Sequence, residues 1–193
     1  MCGTIGVLCN NDNSVSYILD GLYMLQNRGY DSVGVSYINT DNDNDNDNNI
    51  HTVKKASTNT NNAYQEVSAR LLKDLPKSHL AIGHTRWATH GGKTDNNAHP
   101  HQDNIGKVTL VHNGIIDNFL DLKQMLTDKG FFFTTETDTE VIAVLISMYR
   151  VTMSMTLAIE MTIKQLSGTW ALIIIDPEYP NNMWITRNGS PLL

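Results

Sequence analysis

The sequence predicts an α+β protein in which helices pack on antiparallel sheets. Three observations carry this. Runs with the alternation of strands and runs with the period of helices follow one another along the whole chain. Several strand pairs are joined by turns, a connection that parallel strands cannot use. Neither Gly-x-Gly-x-x-Gly nor Gly-x-x-x-x-Gly-Lys, the phosphate loops of doubly wound sheets, occurs. With 193 residues, 40% of them hydrophobic, the chain fits one domain spanning 1–193 with a sizeable core, undivided by any linker or repeat.

The elements read as follows. A strand over 4–8 leads to a helix over 14–28, where Val15, Ile18, Leu19, Leu22 and Leu25 recur at helical spacing. Ser14 is placed to cap this helix and Gly29 to end it in a left-handed turn. Residues 32–38 alternate as a strand, and 50–55 resume as its hairpin partner. Between them lies Asp-Asn-Asp-Asn-Asp-Asn-Asp-Asn-Asn at 41–49, which has nothing apolar to bury and is expected to be a disordered loop insertion. It is a poor calcium loop: counted from Asp41, the required Gly and Glu positions hold Asn46 and Thr52. A helix over 62–75 carries Tyr64, Val67, Leu71, Leu72 and Leu75. A strand over 80–86 runs into the Gly-rich stretch 83–92. A strand over 107–112 ends at Asn113-Gly114, read as a turn. A helix over 117–129 sets Phe119, Leu122, Met125 and Leu126 on one side, with Gly130 beyond it. Thr137-Asp138-Thr139-Glu140 fits a capping box that opens a helix through about Tyr149. A helix over 155–166 and a strand pair, 169–175 with 182–187, complete the chain.

Composition narrows the partners. The net charge of −6, with four of the acids in the 41–49 tract, argues against a nucleic-acid grip. No apolar run is long enough to cross a membrane, and no signal peptide is evident. Two cysteines, Cys2 and Cys9, make no disulfide framework. Free thiols suit a reducing compartment, so the expected location is cytoplasmic.

The chemistry is concentrated in a few places. If Met1 is removed, Cys2 carries both a thiol and a free α-amine, which titrate near ~8.5 and ~7.7–8.0. A nucleophile and a base then share one residue. On its own, Cys2 before Thr4-Ile5-Gly6-Val7-Leu8 is the ordinary start of a buried strand. The stretch 83–92 sets His84, Arg86, Thr89 and His90 among three glycines. An Arg fork grips a carboxylate with two parallel hydrogen bonds, and glycines let a backbone approach a ligand. The plain alternative is a solvated surface loop. Asn97-Ala98-His99-Pro100-His101 adds histidines, but without Cys-x-x-Cys or His-Glu-x-x-His they read as packed loop residues rather than zinc ligands. Asn113 and Gly114 can donate a side-chain and a backbone N–H into one point, as an oxyanion hole requires. Asp138, in a first helical turn, is either an acid favoured by the helix dipole or the receiver of a substrate ammonium. Together these groups fit an α-amino acid with a side-chain amide: Arg86 for the carboxylate, Asp138 for the ammonium, Cys2 for the amide carbon, Asn113 and Gly114 for the oxyanion.

At Cys2-Gly3, 28–32, 84–91, 97–101, 112–118 and 136–140 the chain resembles the class II glutamine amidotransferase domain, nearest to the glutaminase domains of the glutamine–fructose-6-phosphate aminotransferases. The resemblance implies an N-terminal-nucleophile hydrolase fold, two antiparallel sheets between helix layers in a four-layer αββα sandwich. It implies release of ammonia from L-glutamine through a Cys2 thioester, with no metal or organic cofactor. It adds Thr89, His90 and His99 to the substrate-binding residues Arg86 and Asp138. It places Arg28 and Tyr30 near the nucleophile, and Trp87 on a mobile loop that closes over glutamine and opens the ammonia passage. It also implies that the ammonia acceptor, a sugar-phosphate isomerase unit in the resembling enzymes, is a separate protein or domain. The rival is a glutamine-sensing or interaction module that binds without turnover, which retention of Met1 would favour.

Shortening 41–49 to a tight turn should leave melting temperature and activity nearly unchanged, since loop closure costs only about 0.6 kcal/mol per doubling of length. Thermal melts of the shortened and parent proteins check this.

Overall fold

A computed structural model of the chain describes residues 2–39 and 49–191. Met1 and all of the Asp/Asn tract except Asn49 lie outside the described residues. Among the described residues, eight strands form two antiparallel sheets. The first contains β1 (Gly3–Leu8), β2 (Ser32–Ile38), β3 (Ile50–Ala56) and β4 (Leu80–Arg86) in the order β1-β4-β2-β3. The second contains β5 (His101–Gln102), β6 (Thr109–Ile116), β7 (Gly168–Ile175) and β8 (Trp184–Asn188) in chain order. Helices α1 (Ser14–Leu25) and α2 (Ala63–Leu72) cover the outer face of the first sheet. Helices α3 (Phe119–Asp128), α4 (Asp138–Arg150) and α5 (Met155–Ile163) cover the second.

The strand alternation assigns side chains to three apolar layers. Val33, Val35 and Tyr37 of β2 and Ala81 of β4 meet Val15, Ile18, Leu22, Val67 and Leu71 of the helices. Ile38, Leu80 and Ile82 of the first sheet meet Val111, Ile173 and Ile175 of the second. Leu110, Leu172 and Ile174 point outward to Ile142, Leu145, Ile146 and Met155. The order is therefore helix, sheet, sheet, helix, and all seven residues of both β2 and β4 are buried. Helix α4 is the most enclosed: each residue from Asp138 to Ile146 is buried.

Five local expectations are corrected. First, Ser14 does not cap α1. The cap position is Asn13, with no side-chain hydrogen bond, and the Ser14 N–H is taken by the Ser78 carbonyl at 2.9 Å. Second, α1 passes into a 3₁₀ turn over Gln26–Arg28, and Gly29 is extended (φ −172°) rather than left-handed. A Cβ on Gly29 would stand 2.7 Å from the Arg86 carbonyl carbon, so the requirement there is close approach. Third, Leu72 and Leu75 are exposed: the buried stripe of α2 is Ala63, Val67 and Leu71, Leu72 falls off it, and Leu75 lies beyond the end of the helix. Fourth, Asn113 and Gly114 are not a turn. They lie within β6, opposite Ala171 and Trp170 of β7. Gly114 has φ +144°, and a Cβ there would stand 2.0 Å from the Thr169 carbonyl oxygen, so only glycine lets the ladder continue. Fifth, the capping box is half formed. Thr137 accepts from the Glu140 N–H at 3.5 Å, but the Glu140 carboxylate turns to the N–H and hydroxyl groups of Thr134 and Thr135 at 2.7–3.2 Å. Four donors brought together by the reversal before α4 outcompete the single Thr137 N–H, which goes to Thr135 Oγ1 at 3.3 Å.

Ile142→Ala removes a fully buried side chain from the most enclosed helix. It should cost about 2–5 kcal/mol, read as a lower urea midpoint at unchanged slope.

Candidate functional site

The inner face of each sheet carries polar groups at one end of the inter-sheet layer. Cys2 precedes β1, whose Gly3 pairs with Thr85. His84 and Arg86 lie on β4, and Asn113 faces them from β6. Cys2 is half-buried, and its Sγ accepts the Trp87 N–H at 3.1 Å. Burial pushes the Cys2 thiol up, while the Trp87 backbone contact and the Arg86 guanidinium pull against it. Asn113 donates one amide N–H from Nδ2 to the Cys2 carbonyl at 3.1 Å. This bond joins the Cys2 backbone on one sheet to the second sheet.

A narrow cleft runs from Cys2 past Arg86, Trp87, Thr89, His90, His99, Gly114 and Asp138. Its free volume is about 20 Å³, room for roughly one water. Arg86 is buried, and its fork donates to carbonyls of the following loop: Gly92 at 3.2 Å, Gly91 at 3.4 Å, and His90. The loop is pinned elsewhere as well. The Ala88 N–H goes to Asp31 at 2.9 Å, Lys93 pairs with Asp31 at 2.5 Å, and the Gly92 N–H goes to Glu136 at 3.0 Å. Asp138, the first residue of α4, accepts the Ile116 N–H at 2.9 Å and the Thr139 hydroxyl at 3.3 Å. On the other side, Cys2, Arg28, Asn113, Ile115, Thr169 and Pro191 border an open, more apolar cavity of about 340 Å³.

The structure thus brings ten of the eleven sequence-predicted residues to the walls of these two spaces: Cys2, Arg28, Arg86, Trp87, Thr89, His90, His99, Asn113, Gly114 and Asp138. Tyr30 stands behind them, its ring edge-on to Trp87 at 5.5 Å.

Sequence reasoning missed the support of these groups. His99 Nε2 and His112 Nδ1 both meet Thr139 Oγ1, at 2.8 and 3.1 Å. His101 Nε2 meets Thr137 Oγ1 at 3.2 Å. The rings of His84, His99 and His101 touch in sequence, the first pair tilted at 33° and the second edge-on at 80°, with centroids 4.2 and 4.6 Å apart. Lys54 donates to the carbonyls of Asn96, Ala98 and Pro100 at 2.8–3.2 Å, holding the loop that carries His99; burial lowers its pKa to about 8. These contacts bridge distant segments, so no local motif announces them. The one available signal was five histidines within 84–112. Among the described residues, no cluster of metal-ligating side chains is found, and no helix is long and apolar enough to cross a membrane.

A family profile described as the glutamine amidotransferase domain matches residues 84–191. Glutamine–fructose-6-phosphate aminotransferase (isomerizing) of Methanococcus maripaludis is 41% identical over 199 residues, covering 100% of this chain and 31% of the relative. The protein of the same name from Fusobacterium nucleatum is 40% identical over 194 residues, covering 100% and 30%. The chain therefore spans about a third of the curated relatives it matches. Among solved structures, glutamine phosphoribosylpyrophosphate amidotransferase of Bacillus subtilis, complexed with ADP and GMP, superposes with a TM-score of 0.76 at 25% identity, covering 97% of this chain and 37% of that one. With the sheet order, this likeness identifies the N-terminal-nucleophile hydrolase sandwich.

Burial holds the pKa values of His84, His99, His101 and His112 below the ordinary histidine value, that of His84 at about 3. The unfolded chain takes up protons near pH ~6.5 that the folded chain refuses. The histidines' share of stability should therefore be flat above about pH 7 and fall as the pH drops below ~6.5, by up to ~1.4 kcal/mol per pH unit for each histidine. Urea midpoints at about pH 7.5 and about pH 5.5 check the sign.

Proposed function

Because the chain belongs to the glutamine amidotransferase domain family, we propose that it hydrolyses the side-chain amide of L-glutamine to glutamate and ammonia, with Cys2 as nucleophile. The observation that carries this reading is the meeting of Cys2 with Arg86 and Asp138 in one cleft, with Asn113 against its carbonyl. Met1 is removed, and the freed amine of Cys2 takes the thiol proton. The thiolate attacks the amide carbon. The amide oxygen becomes an oxyanion that accepts from the Gly114 N–H and from the Asn113 amide, which has a second N–H beyond the one on Cys2. Collapse forms the thioester, and the protonated amine gives its proton to departing ammonia. Water, deprotonated by the same amine, then releases glutamate and frees the thiol.

Arg86 takes the substrate α-carboxylate and Asp138 the α-ammonium, with Thr89, His90 and His99 along the walls. The carboxylate replaces loop carbonyls on the Arg86 fork, so the loop after β4 opens to admit substrate. Trp87, whose N–H meets the thiol, moves with it. The relatives are named for transfer to fructose 6-phosphate. We place the acceptor of the ammonia at a sugar-phosphate site in a further domain or a separate protein, reached through the open cavity beside Cys2. The chemistry needs no metal or organic cofactor.

Cys2→Ala should abolish turnover and keep glutamine binding. Arg86→Ala and Asp138→Ala should each weaken binding by about 2–4 kcal/mol, the cost of leaving a buried charge unpaired. Calorimetry and a glutamate assay on the three variants, with intact mass to establish loss of Met1, decide it. Normal affinity in both charge variants would sink the clamp. Binding without turnover in the Met1-free protein would leave a sensing module instead.

A further inference from the structure

The oxyanion group and the nucleophile stand on different sheets, and one buried side chain links those sheets at this point. His84 projects from β4 toward β6, where its Nε2 lies 3.1 Å from the His112 carbonyl oxygen and 2.9 Å from Asn113 Oδ1. The carbonyl oxygen can only accept, so Nε2 carries the proton. That donor requires an acceptor from Asn113 too. An amide rotated by half a turn would set its NH₂ against the His84 N–H. Asn113 must therefore keep Oδ1 on His84 and Nδ2 toward Cys2, where it donates to the Cys2 carbonyl at 3.1 Å.

The tautomer is enforced on the other edge of the ring. His84 is 1% exposed, and its Nδ1 is buried with no hydrogen-bond partner. A proton there would be a buried, unsatisfied donor, which costs more than a bare lone pair beside the tilted His99 ring. Burial also holds the ring neutral at working pH. The imidazole is thus a one-sided donor that never competes for a proton.

We propose that His84 is a positioning residue for glutamine hydrolysis: its Nε2–H sets the rotation of the Asn113 amide and so aims an N–H at the oxyanion. The proposal rests on the reading of Cys2 and Asn113 given above. It predicts a selective defect. Losing an oxyanion donor outright costs about 10²–10³-fold in kcat. His84→Phe keeps an aromatic ring and removes the donor. It should lower kcat by at least about tenfold toward that ceiling, with KM within about twofold. His84→Gln retains a side-chain N–H of similar reach and should recover most of the loss. Alkylation of Cys2 by iodoacetamide develops no oxyanion, so its rate should stay within about twofold in both variants.

The assays use the intact protein with glutamine and, in parallel, iodoacetamide. A His84→Phe protein with kcat within about twofold of the parent overturns the proposal. So does parallel loss of alkylation and turnover, which marks general damage, or a His84→Gln protein as slow as His84→Phe. A parent protein that binds but does not hydrolyse glutamine refutes the hydrolase reading itself, and this inference with it. Nitrogen-15 NMR of the parent protein tests the mechanism without any variant. The His84 ring should remain the neutral Nε2–H form between about pH 5.5 and pH 8.5, and an Nδ1–H or doubly protonated ring overturns it.

Discussion

The site depends on the spacing and register of two facing sheets. Cys2 and Arg86 belong to one, Asn113 and Gly114 to the other. The apolar layer of Ile38, Leu80, Ile82, Val111, Ile173 and Ile175 sets that spacing over most of its area. At the end where this layer stops, hydrogen bonds take over: His84 to the His112 carbonyl and Asn113, and Asn113 to the Cys2 carbonyl. An apolar contact fixes distance but not direction. A hydrogen bond fixes both. The change from aliphatic to polar residues along β4 and β6 is therefore the change from core to site. Ile82 gives way to His84 and Arg86, as Val111 gives way to Asn113.

The same logic governs the start of α4. A helix N-terminus with its unsatisfied N–H groups favours acids, yet Asp138 and Glu140 spend their oxygens mainly on other segments. Asp138 takes the Ile116 N–H of β6, and Glu140 takes donors from Thr134 and Thr135. Both carboxylates are buried, and leaving either unpaired would cost several kcal/mol. They tie the helix to the second sheet and to the loop before it. Thr139 extends the tie to His99 and His112. The α4 terminus is thus the fixed point from which one wall of the cleft is hung.

Much of this was legible in the sequence, and what was missed has a common cause. Strand β4, the hairpin partners β2 and β3, and the apolar stripe of α3 were legible because the pattern of each lies within one short, contiguous run. Cys2, Arg86, Asn113, Gly114 and Asp138 were singled out because their types converge on one ligand, and Arg28, Trp87, Thr89, His90 and His99 because the chain resembles the family at their motifs. The reading failed where a local rule met a non-local competitor. Asn113-Gly114 has the composition of a turn, but β7 pairs straight across it. Glu140 completes a capping-box pattern, but four nearer donors hold it. Gly29 looks like a helix terminator, but the backbone of Arg86 makes it a glycine. The roles of His84, Lys54 and Thr139 were invisible for the same reason: each is defined by a partner at least 28 residues away.

The closed loop after β4 couples recognition to reactivity on the proposed reading. The Arg86 fork is occupied by neutral carbonyls, and the thiol by the Trp87 N–H. Those carbonyls are neutral acceptors on a charged fork, whereas a carboxylate brings a full opposite charge and two parallel bonds to the same fork, a stronger pairing. A ligand carboxylate can therefore displace the carbonyls with a net gain, whereas an uncharged ligand cannot. Displacement frees the carbonyls of His90, Gly91 and Gly92, and on the proposed reading the loop that Trp87 begins lifts with them. The thiol loses its backbone partner at the moment a free carboxylate arrives. An amide within a peptide, which lacks that carboxylate, would face the closed loop and a thiol still held by it. Discrimination in favour of the free amino acid thus arises from the exchange of one acceptor for another on Arg86, with no separate gate required.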